Sequence, residues 1–240
     1  MMPGMKCQDP MGGKRVALVT GGAVRIGAAV AEALAQAGWA VVVHARRPGA
    51  GAWCVGGDLS VPEGAAEVFA AAVNVAGRVD AVVNNAAVFS TRAAMTDAEY
   101  TAMLQVNALA PMALTRCLWA HLRARGACGC AVQMLDQRIA GAGGADTPYV
   151  RSKKMLAAFT REAAVEMAPE LRVNAVAPGA VLLPAAADER ELAGPFLLGA
   201  RPTPAQVAEA VRWLLEAEAV TGQTLFVDGG QHLEGAGSRA

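Results

Sequence analysis

Short runs of apolar residues alternate with longer alanine-rich stretches along this chain. In the longer stretches apolar residues recur every three or four positions, as at Ile26, Val30 and Leu34, which predicts helices. The short runs predict seven β-strands, at residues 15–19, 40–44, 53–55, 80–83, 131–135, 172–177 and 225–227. Strands that are apolar throughout and are joined by helices form parallel sheets covered on both faces. The pattern therefore predicts an α/β fold with a doubly wound, seven-stranded, mostly parallel sheet and helices on both faces.

Capping residues support several of the predicted helices. Ser60 with Glu63 and Thr96 with Glu99 each fit a capping box, in which each side chain bonds to the other residue's backbone N–H. The helix that begins at Thr96 is expected to be long and to be kinked at Pro111. Two more helix starts are predicted at Thr147-Pro148 and at Thr203-Pro204 with Gln206.

The predicted strands and helices form one domain. Residues 46–52, between the second and third strands, are too few for a full crossover helix, so a helix is expected to be missing there. No linker or repeat divides the rest of the chain. We expect one domain at residues 14–233, with a flexible N-terminal tail at 1–13 and a C-terminal tail at 234–240.

Composition excludes several classes of protein. The 240 residues are 54% hydrophobic and 18% charged, which excludes a disordered chain. Because 21 basic and 21 acidic residues give no net charge, nucleic acid is not expected as a partner. No segment is long and apolar enough to predict a membrane span. The five cysteines are odd in number and irregularly spaced, which favours reduced thiols and a cytoplasmic protein.

The segment from Thr20 to Gly27 (TGGAVRIG) lies between the first strand and the first helix. Glycines such as Gly21 and Gly27 let the backbone turn tightly and approach a phosphate group, and a helix N-terminus attracts the phosphate charge. In this position between strand and helix, the segment predicts a dinucleotide site in a Rossmann fold. Arg25 and Ile26, at the start of the helix, are expected to lie near the phosphates.

The residues after the second strand favour NADP over NAD. NAD sites usually place a carboxylate there to bind the ribose 2′-OH. This chain instead has His44, Arg46 and Arg47, and no acidic residue before Asp58. A guanidinium forms charge-assisted hydrogen bonds with a 2′-phosphate, which a carboxylate would repel.

Tyr149 and Lys153 lie four residues apart in a predicted helix, so their side chains are on the same side. A phenol of ordinary pKa is a poor acid at neutral pH. A neighbouring ammonium group, together with the positive nicotinamide of the oxidised cofactor, is expected to lower the pKa of Tyr149 toward the working range. Such a pair alone is more often a surface contact than a catalytic one.

Taken together, these motifs resemble those of the short-chain dehydrogenases/reductases. The turn resembles the family's Thr-Gly-x-x-x-Gly-x-Gly, with Arg25 in place of the middle glycine. The other motifs follow in the family's order: Asp58-Leu59, Asn84-Asn85-Ala86-Ala87, Asn107, Tyr149 with Lys153, Pro178-Gly179, Thr221-Gly222-Gln223 and Val227-Asp228-Gly229-Gly230. The match extends from about Lys14 to Leu233, nearly the whole chain.

The resemblance implies roles for single residues. Tyr149 is the expected proton donor, Lys153 is expected to hold the nicotinamide ribose as well, and Asn107 is expected to support a proton relay. Asp58 is expected to contact the adenine. The remaining residues expected to line the cofactor are Leu59, Asn84, Ala86, Pro178 and Gly179. No metal is expected.

Asp136 departs from the usual family pattern. Most members have a serine about thirteen residues before the tyrosine, and that serine donates a hydrogen bond to the substrate carbonyl. Here the position holds Asp136, and an ionised carboxylate cannot donate to a carbonyl oxygen. The change argues against simple ketone reduction and favours a substrate with basic ring nitrogens.

Further departures narrow the resemblance to pteridine reductases and bacterial dihydromonapterin reductases. They are Arg25, the basic residues after the second strand, Asp136 and the final Gly229-Gly230-Gln231-His232-Leu233. Phe89 matches the aromatic residue that stacks a pterin on the nicotinamide in pteridine reductases, although a buried core phenylalanine is an equally good interpretation. Arg25, Phe89, Asp136 and Tyr149 are the expected substrate contacts.

The sequence thus predicts an NADPH-dependent reductase that converts a dihydropterin to its tetrahydro form. The expected catalytic step is delivery of the proton to the ring nitrogen by Tyr149, aided by Lys153 and Asp136, through its own OH or a water. Two alternatives stay open. One is a carbonyl reductase acting on a 3-oxoacyl thioester or a sugar, and the other is an NADP-binding protein without turnover. The resemblance also implies a homodimer or homotetramer and a substrate lid at 181–201, in which Asp188, Glu189 and Arg190 have no assigned role.

Overall fold

Seven parallel strands form the central sheet of the computed structural model, which describes residues 13–49, 53–90, 95–141, 147–182 and 196–236. Their order across the sheet is β3-β2-β1-β4-β5-β6-β7, and every neighbouring pair is parallel. The strands are β1 (Val16–Thr20), β2 (Ala40–Ala45), β3 (Cys54–Gly56), β4 (Ala81–Asn84), β5 (Gly129–Met134), β6 (Leu171–Pro178) and β7 (Thr224–Val227). The predicted doubly wound α/β fold is confirmed.

Helices cover both faces of the sheet. They are α1 (Arg25–Gln36), α2 (Gly64–Ala76), α3 (Asp97–Leu104), α4 (Ala110–Arg125), α5 (Pro148–Glu166) and α6 (Pro204–Glu216). Helices α1 and α6 pack on one face through buried Val30, Leu34, Val207 and Val211. Helices α2, α4 and α5 cover the other face, with buried leucine, valine and phenylalanine side chains. Burial on both faces explains why the strands are apolar without alternation.

Two of the predicted capping boxes are present and one is wrong. Thr96 with Glu99 caps α3, and Thr203 with Gln206 caps α6. The predicted box at Ser60 does not form, and α2 begins only at Gly64. The hydroxyl of Ser60 donates instead to Asp58 Oδ1 at 2.7 Å. The backbone N–H of Ser60, which the Glu63 side chain would bind in a capping box, also donates to Asp58 Oδ1, at 2.9 Å.

The predicted long helix is interrupted before Pro111 by a π-helical turn at Gln105–Leu109. Pro111 then lies in the first turn of α4. Proline has no N–H for the carbonyl four residues earlier, that of Asn107, so a normal α-helical bond cannot form there. The wider π-helical turn accommodates this gap, and it places Asn107 inside the protein.

The expectations for the missing helix, the two tails and the lid concern segments that the structure describes only in part. No helix occurs between β2 and β3 among described residues 46–49 and 53, as predicted. Most of both tails and most of the expected lid, with Asp188, Glu189 and Arg190, lie outside the described residues. No described helix is long and apolar enough to cross a membrane.

Three described cysteines, Cys54, Cys117 and Cys130, are free thiols. Cys128 is disulfide-bonded, so the expectation that every cysteine is reduced is wrong. The cytoplasmic location that this expectation supported stays a prediction.

A buried ionic cluster joins the chain at the end of the sheet where the strands begin. Asp80 Oδ2 accepts from the backbone N–H of Val16 at 2.8 Å and lies 3.0 Å from Arg78 Nε. Asp80 Oδ1 lies 3.0 Å from Arg125 Nη2, at the C-terminus of α4. The carboxylate thus ties β1, β4 and α4 together within the interior.

We predict that Asp80→Ala lowers the free energy of unfolding by about 3–5 kcal/mol, because it removes the carboxylate that neutralises the buried guanidinium of Arg78 and the partly buried guanidinium of Arg125. Urea unfolding followed by circular dichroism measures this change. The matched control is Glu209→Ala, which removes an exposed carboxylate from its pair with Arg212 on α6. The control should change stability far less, and equal losses in the two variants would contradict the role given to Asp80.

Candidate active site

The turn after β1 has the backbone geometry of a close phosphate approach. Gly21 has a φ of +61°, and a Cβ on Gly27 would meet the carbonyl oxygen of Gly21. No larger residue fits at Gly27. Arg25 also lies in the left-handed region, with a φ of +56°, so the position where the family pattern has glycine still requires a glycine-like backbone. Ile26 packs its side chain onto the core beneath α1.

Asn85, which sequence reasoning missed, holds this turn to the end of β4. Its side-chain Nδ2 donates to the carbonyl oxygens of Thr20 at 2.9 Å and Gly21 at 3.1 Å. In return, Thr20 Oγ1 accepts from the backbone N–H groups of Asn85 and Ala86, both at 3.0 Å. The only sequence signal for this role was the doubled asparagine after β4.

Asn84 points the other way, into the interior. Its Nδ2 lies within 2.9 Å of Gln133 Oε1 and 3.3 Å of both Thr115 Oγ1 and the carbonyl of Pro111. The side chain is only 1% exposed, so it is not available to a cofactor as the sequence analysis expected. It joins β4 to β5 and α4, and only its backbone lies beside the turn.

His44 is buried, unlike the two arginines that follow it. Its Nδ1 accepts from the Gly21 N–H at 3.4 Å, and its Nε2 bonds to the Gly57 carbonyl at 3.1 Å. Burial lowers the pKa of His44, which favours this neutral ring. Arg46 and Arg47 are exposed, so they are open to a ligand, whereas His44 supports the turn from below.

Asp58 lies at the surface next to these basic residues. Hydrogen bonds from Ser60 hold the pKa of Asp58 below its ordinary value, and the nearby Arg46 acts in the same direction. The carboxylate is therefore ionised and exposed. The side chain of Leu59 is buried in the core, so any contact it makes with a cofactor is through its backbone.

The end of β6 is closed by the C-terminal segment. A Cβ on Gly179 would meet Gln231 Oε1 and the backbone of Asp228, which explains the glycine after Pro178. Gln231 Oε1 accepts from the N–H of Ala180 at 3.0 Å. The C-terminal motif therefore shapes the loop after β6, a role that the sequence analysis did not assign to it.

Tyr149 and Lys153 meet at the carboxyl end of β5, as their spacing predicted. Both side chains are buried, and Lys153 Nζ lies 5.8 Å from the centre of the Tyr149 ring. Nζ donates to the carbonyl of Met134 at 2.7 Å. Burial lowers the pKa of Lys153 to about 8, and the negative charge of Asp136 opposes this shift.

Asp136 caps a short 3-10 helix (Gln137–Ile139) directly after β5. Its Oδ1 accepts from the backbone N–H of Arg138 at 2.9 Å and from Arg138 Nε at 2.8 Å. Its Oδ2 accepts from Arg138 Nη2, also at 2.8 Å. Sequence reasoning missed Arg138, although its spacing of two residues from Asp136 is that of a side-chain cap.

The pKa of Tyr149 is raised, contrary to the sequence-based expectation. Burial is the largest cause, and the charge of Asp136 together with a hydrogen bond to Asp136 adds to it. Arg138 opposes the shift but does not cancel it. Lys153 is not among the groups that shift this pKa here, so the lowering expected from its ammonium together with an oxidised nicotinamide stays a prediction. Tyr149 is therefore protonated at neutral pH and is a weaker acid than an ordinary phenol.

Phe89 lies against Tyr149 at the surface of the site. The ring centres are 4.9 Å apart and the planes are at 82°, an edge-to-face contact. The Phe89 side chain is half exposed, at 51%, so it is not a core residue. This is the geometry needed to stack a flat molecule.

Asn107 fixes Phe89 relative to the Tyr149 helix. Its Oδ1 accepts from the N–H of Val88 at 2.8 Å, and its Nδ2 donates to the Val88 carbonyl at 2.9 Å and to Ser152 Oγ at 3.1 Å. Both amide hydrogens are thus in use. The expected proton relay therefore cannot use the amide hydrogens of Asn107, whose observed side-chain role is to position its neighbours.

The site combines three features on one edge of the sheet. A turn suited to phosphate lies beside exposed arginines, a protonated phenol lies beside a paired carboxylate, and an aromatic face is exposed. No group of side chains suited to a metal ion occurs among the described residues. The arrangement can bind an anionic dinucleotide, stack a planar ring and donate a proton to it.

Comparisons with known proteins agree with this description. A family model described as enoyl-(acyl carrier protein) reductase matches residues 22–232. The chain is 33% identical to the short-chain reductase protein NovJ of Streptomyces niveus, over 90% of this chain and 93% of NovJ. It is 31% identical to the dihydromonapterin reductase of Enterobacter sp. (strain 638), over 92% of this chain and 98% of that protein.

A solved structure is similar over the same length. FolM alternative dihydrofolate reductase 1 from Brucella suis, crystallised in complex with NADP, superposes with a TM-score of 0.81 at 30% sequence identity. The match covers 91% of this chain and 95% of that one.

We predict that Asp136→Asn lowers the pKa of Tyr149, because the variant removes the negative charge that opposes ionisation of the phenol. The chain contains two tyrosines, Tyr100 and Tyr149. Subtracting the alkaline phenolate absorbance of Tyr149→Phe from that of each protein isolates Tyr149. Its ionisation should begin at lower pH in Asp136→Asn than in the wild type, and a shift to higher pH would contradict the assigned electrostatics.

Proposed function

The chain belongs to the short-chain dehydrogenase/reductase family, and we propose that within this family it reduces a pterin with NADPH. Its family and its structural relatives show that it is an NADP-dependent oxidoreductase. The observation that carries the proposal of pterin reduction is the Asp136 carboxylate beside Tyr149. Carbonyl-reducing members of the family have a serine at the position of Asp136. The similarity to a dihydromonapterin reductase supports it.

The turn after β1 fits the cofactor. Gly21 and Gly27 leave the backbone open to the pyrophosphate, and the N-terminus of α1 favours its charge. Arg46 and Arg47 are exposed beyond β2, where a 2′-phosphate would lie. Asp58 is ionised nearby and is proposed to accept a hydrogen bond from the adenine. When bound, NADPH supplies a hydride to the substrate.

Tyr149 is proposed to donate the proton that completes the reduction. In a dihydropterin the imine carbon takes the hydride, the electron pair of the C=N bond moves to nitrogen, and that nitrogen takes the phenol proton. Burial and Asp136 raise the pKa of Tyr149, so the phenol is protonated before the reaction. A proton from solvent then restores Tyr149.

Lys153 and Asp136 position this donor. The ammonium of Lys153 is buried 5.8 Å from the centre of the Tyr149 ring, where it would stabilise the phenolate formed after proton transfer. We propose that it also bonds to the nicotinamide ribose. The Asp136 carboxylate orients the phenol and can accept hydrogen bonds from N–H groups of the pterin ring. It could not donate a hydrogen bond to the carbonyl oxygen of a ketone.

Phe89 is proposed to stack on the flat face of the pterin. Its ring is half exposed and is held edge-to-face against Tyr149 at 4.9 Å. Asn107 fixes the backbone of Val88 next to it, so the ring is preorganised. Because the ring is already fixed, stacking on it loses little conformational entropy, and it favours planar substrates over flexible ones.

We also propose that the protein is a homo-oligomer. Exposed apolar side chains occur on the outer helices, among them Leu109 beside α4 and Met155 and Val165 on α5. These helices form subunit contacts in the family that the sequence resembles. Apolar side chains on such a surface favour association with another copy.

We predict that the double variant Arg46→Ala with Arg47→Ala weakens NADPH binding by about 10- to 100-fold, since hydrogen bonds between charged groups contribute about 1.5–3 kcal/mol. NADH, which lacks the 2′-phosphate, should bind almost as before. Fluorescence titration of the cofactor measures both affinities. The control is Arg161→Ala, an exposed arginine on α5. Equal affinity of the wild type for the two cofactors would rule out the assignment.

We predict that the wild type oxidises NADPH with dihydropterins and that Asp136→Ser reduces this rate at least tenfold. The neutral serine hydroxyl is a weaker acceptor for ring N–H groups than the carboxylate, but it can donate to a carbonyl oxygen. Ketone activity should therefore stay flat or rise. Tyr149→Phe, which lacks the proton donor, should lose about a hundredfold or more on any substrate.

The assay uses a panel of dihydropterins, dihydrofolate and simple ketones under the same conditions. A wild type that reduces ketones but no dihydropterin would favour the carbonyl reductase instead. A wild type that binds NADPH tightly and oxidises it with none of these compounds would favour a binding protein without turnover.

A further inference from the structure

Arg138 lies next to Asp136, Phe89 and Tyr149, three residues that are proposed to bind the substrate. Its Nε and Nη2 bind Asp136 side-on, each at 2.8 Å. The central carbon of its guanidinium is 5.3 Å from the centre of the Phe89 ring and 5.2 Å from that of the Tyr149 ring. The guanidinium is therefore fixed beside both the stacking face and the proton donor.

Part of the guanidinium remains open. Of its five N–H hydrogens, the pair with Asp136 uses one on Nε and one on Nη2. The other three, two of them on Nη1, have no hydrogen-bond partner within the described part of the chain. The side chain is 30% exposed, and side-on pairing directs Nη1 away from the carboxylate. Asp136 thus fixes the Arg138 guanidinium and leaves three of its N–H donors unused by the described residues.

We propose that Arg138 contacts the substrate and supplies the hydrogen-bond donor that Asp136 cannot, with a carbonyl oxygen of the substrate as acceptor. The identity of that oxygen rests on the proposed function. In a 2-amino-4-oxo dihydropterin the C4 carbonyl oxygen and the imine nitrogen N5 lie on the same edge of the ring. Arg138 donates to the oxygen while Tyr149 donates to N5, and Asp136 orients both donors.

This arrangement gives Arg138 a role in specificity. A pterin offers an acceptor oxygen next to its reacting nitrogen, whereas a 4-amino analogue offers an N–H group there. A guanidinium has no acceptor atom, so it discriminates against the amino analogue. A residue that only caps the 3-10 helix would affect the two ligands equally.

The test compares Arg138→Ala and Arg138→Lys with the wild type. Steady-state kinetics with a 7,8-dihydropterin give KM and kcat, and binding of 2-amino-4-oxopteridine and of 2,4-diaminopteridine is measured in the presence of NADP. Arg138→Ala should raise the KM for dihydropterin about 10- to 100-fold and lower kcat less. Affinity for the oxo ligand should fall to the same extent, and affinity for the diamino ligand by less than about threefold.

Arg138→Lys keeps the positive charge and an ammonium group that can donate, so it should recover part of the lost affinity. If Arg138→Ala does not fold, Arg138→Lys carries the same comparison of the two ligands. Arg123→Ala, which removes an arginine stacked on Trp119 at the far end of α4, is the matched control and should change neither constant.

The outcomes separate this inference from the proposed function. If the wild type reduces dihydropterins but Arg138→Ala keeps its KM, or if both ligands lose affinity equally, the inference is overturned and the function stands. If the wild type reduces only ketones, the pterin proposal fails. The donor role then holds only if Arg138→Ala raises the KM for the ketone, and an unchanged KM overturns it.

Discussion

The hydrogen bonds between the end of β1 and the end of β4 determine where this molecule can bind a ligand. The strand order reverses between these two strands, so their connections leave in opposite directions and open a crevice. Thr20 and Asn85 cross this crevice with four hydrogen bonds that fix the phosphate turn against the loop leading to Phe89. The cofactor half and the substrate half of the site therefore share one rigid base.

Charge balance in the substrate half follows from burial. Lys153 is buried and Asp136 is partly buried, and Tyr149 next to them is held in its neutral form. Removing a charge from water is costly unless a partner replaces the lost solvation. Arg138 provides that partner for Asp136, and the Met134 carbonyl accepts from Lys153. The site thus keeps two opposite charges and one neutral proton donor within a small volume.

The sequence predicted the strands, most of the helices and the Tyr149–Lys153 pair because each depends on residues that are close in the chain. It failed where distant residues decide the outcome. Asn84 matched a family motif, yet Gln133 and Thr115, far along the chain, draw its side chain inward. The sequence grouped His44 with Arg46 and Arg47 as ligands of the 2′-phosphate. In the fold its ring is buried and accepts from the backbone N–H of Gly21. The raised pKa of Tyr149 was not predicted because only the fold brings burial and Asp136 to bear on it.

Arg25 has a backbone conformation that favours glycine, so its side chain is present at a cost in the stability of the turn. A residue with a Cβ at a φ of +56° costs about 1–2 kcal/mol relative to glycine, which adopts that conformation freely. Among the described residues it is the only one other than glycine with positive φ. Glycine would make the turn more stable, but it would remove an exposed guanidinium from the rim of the crevice.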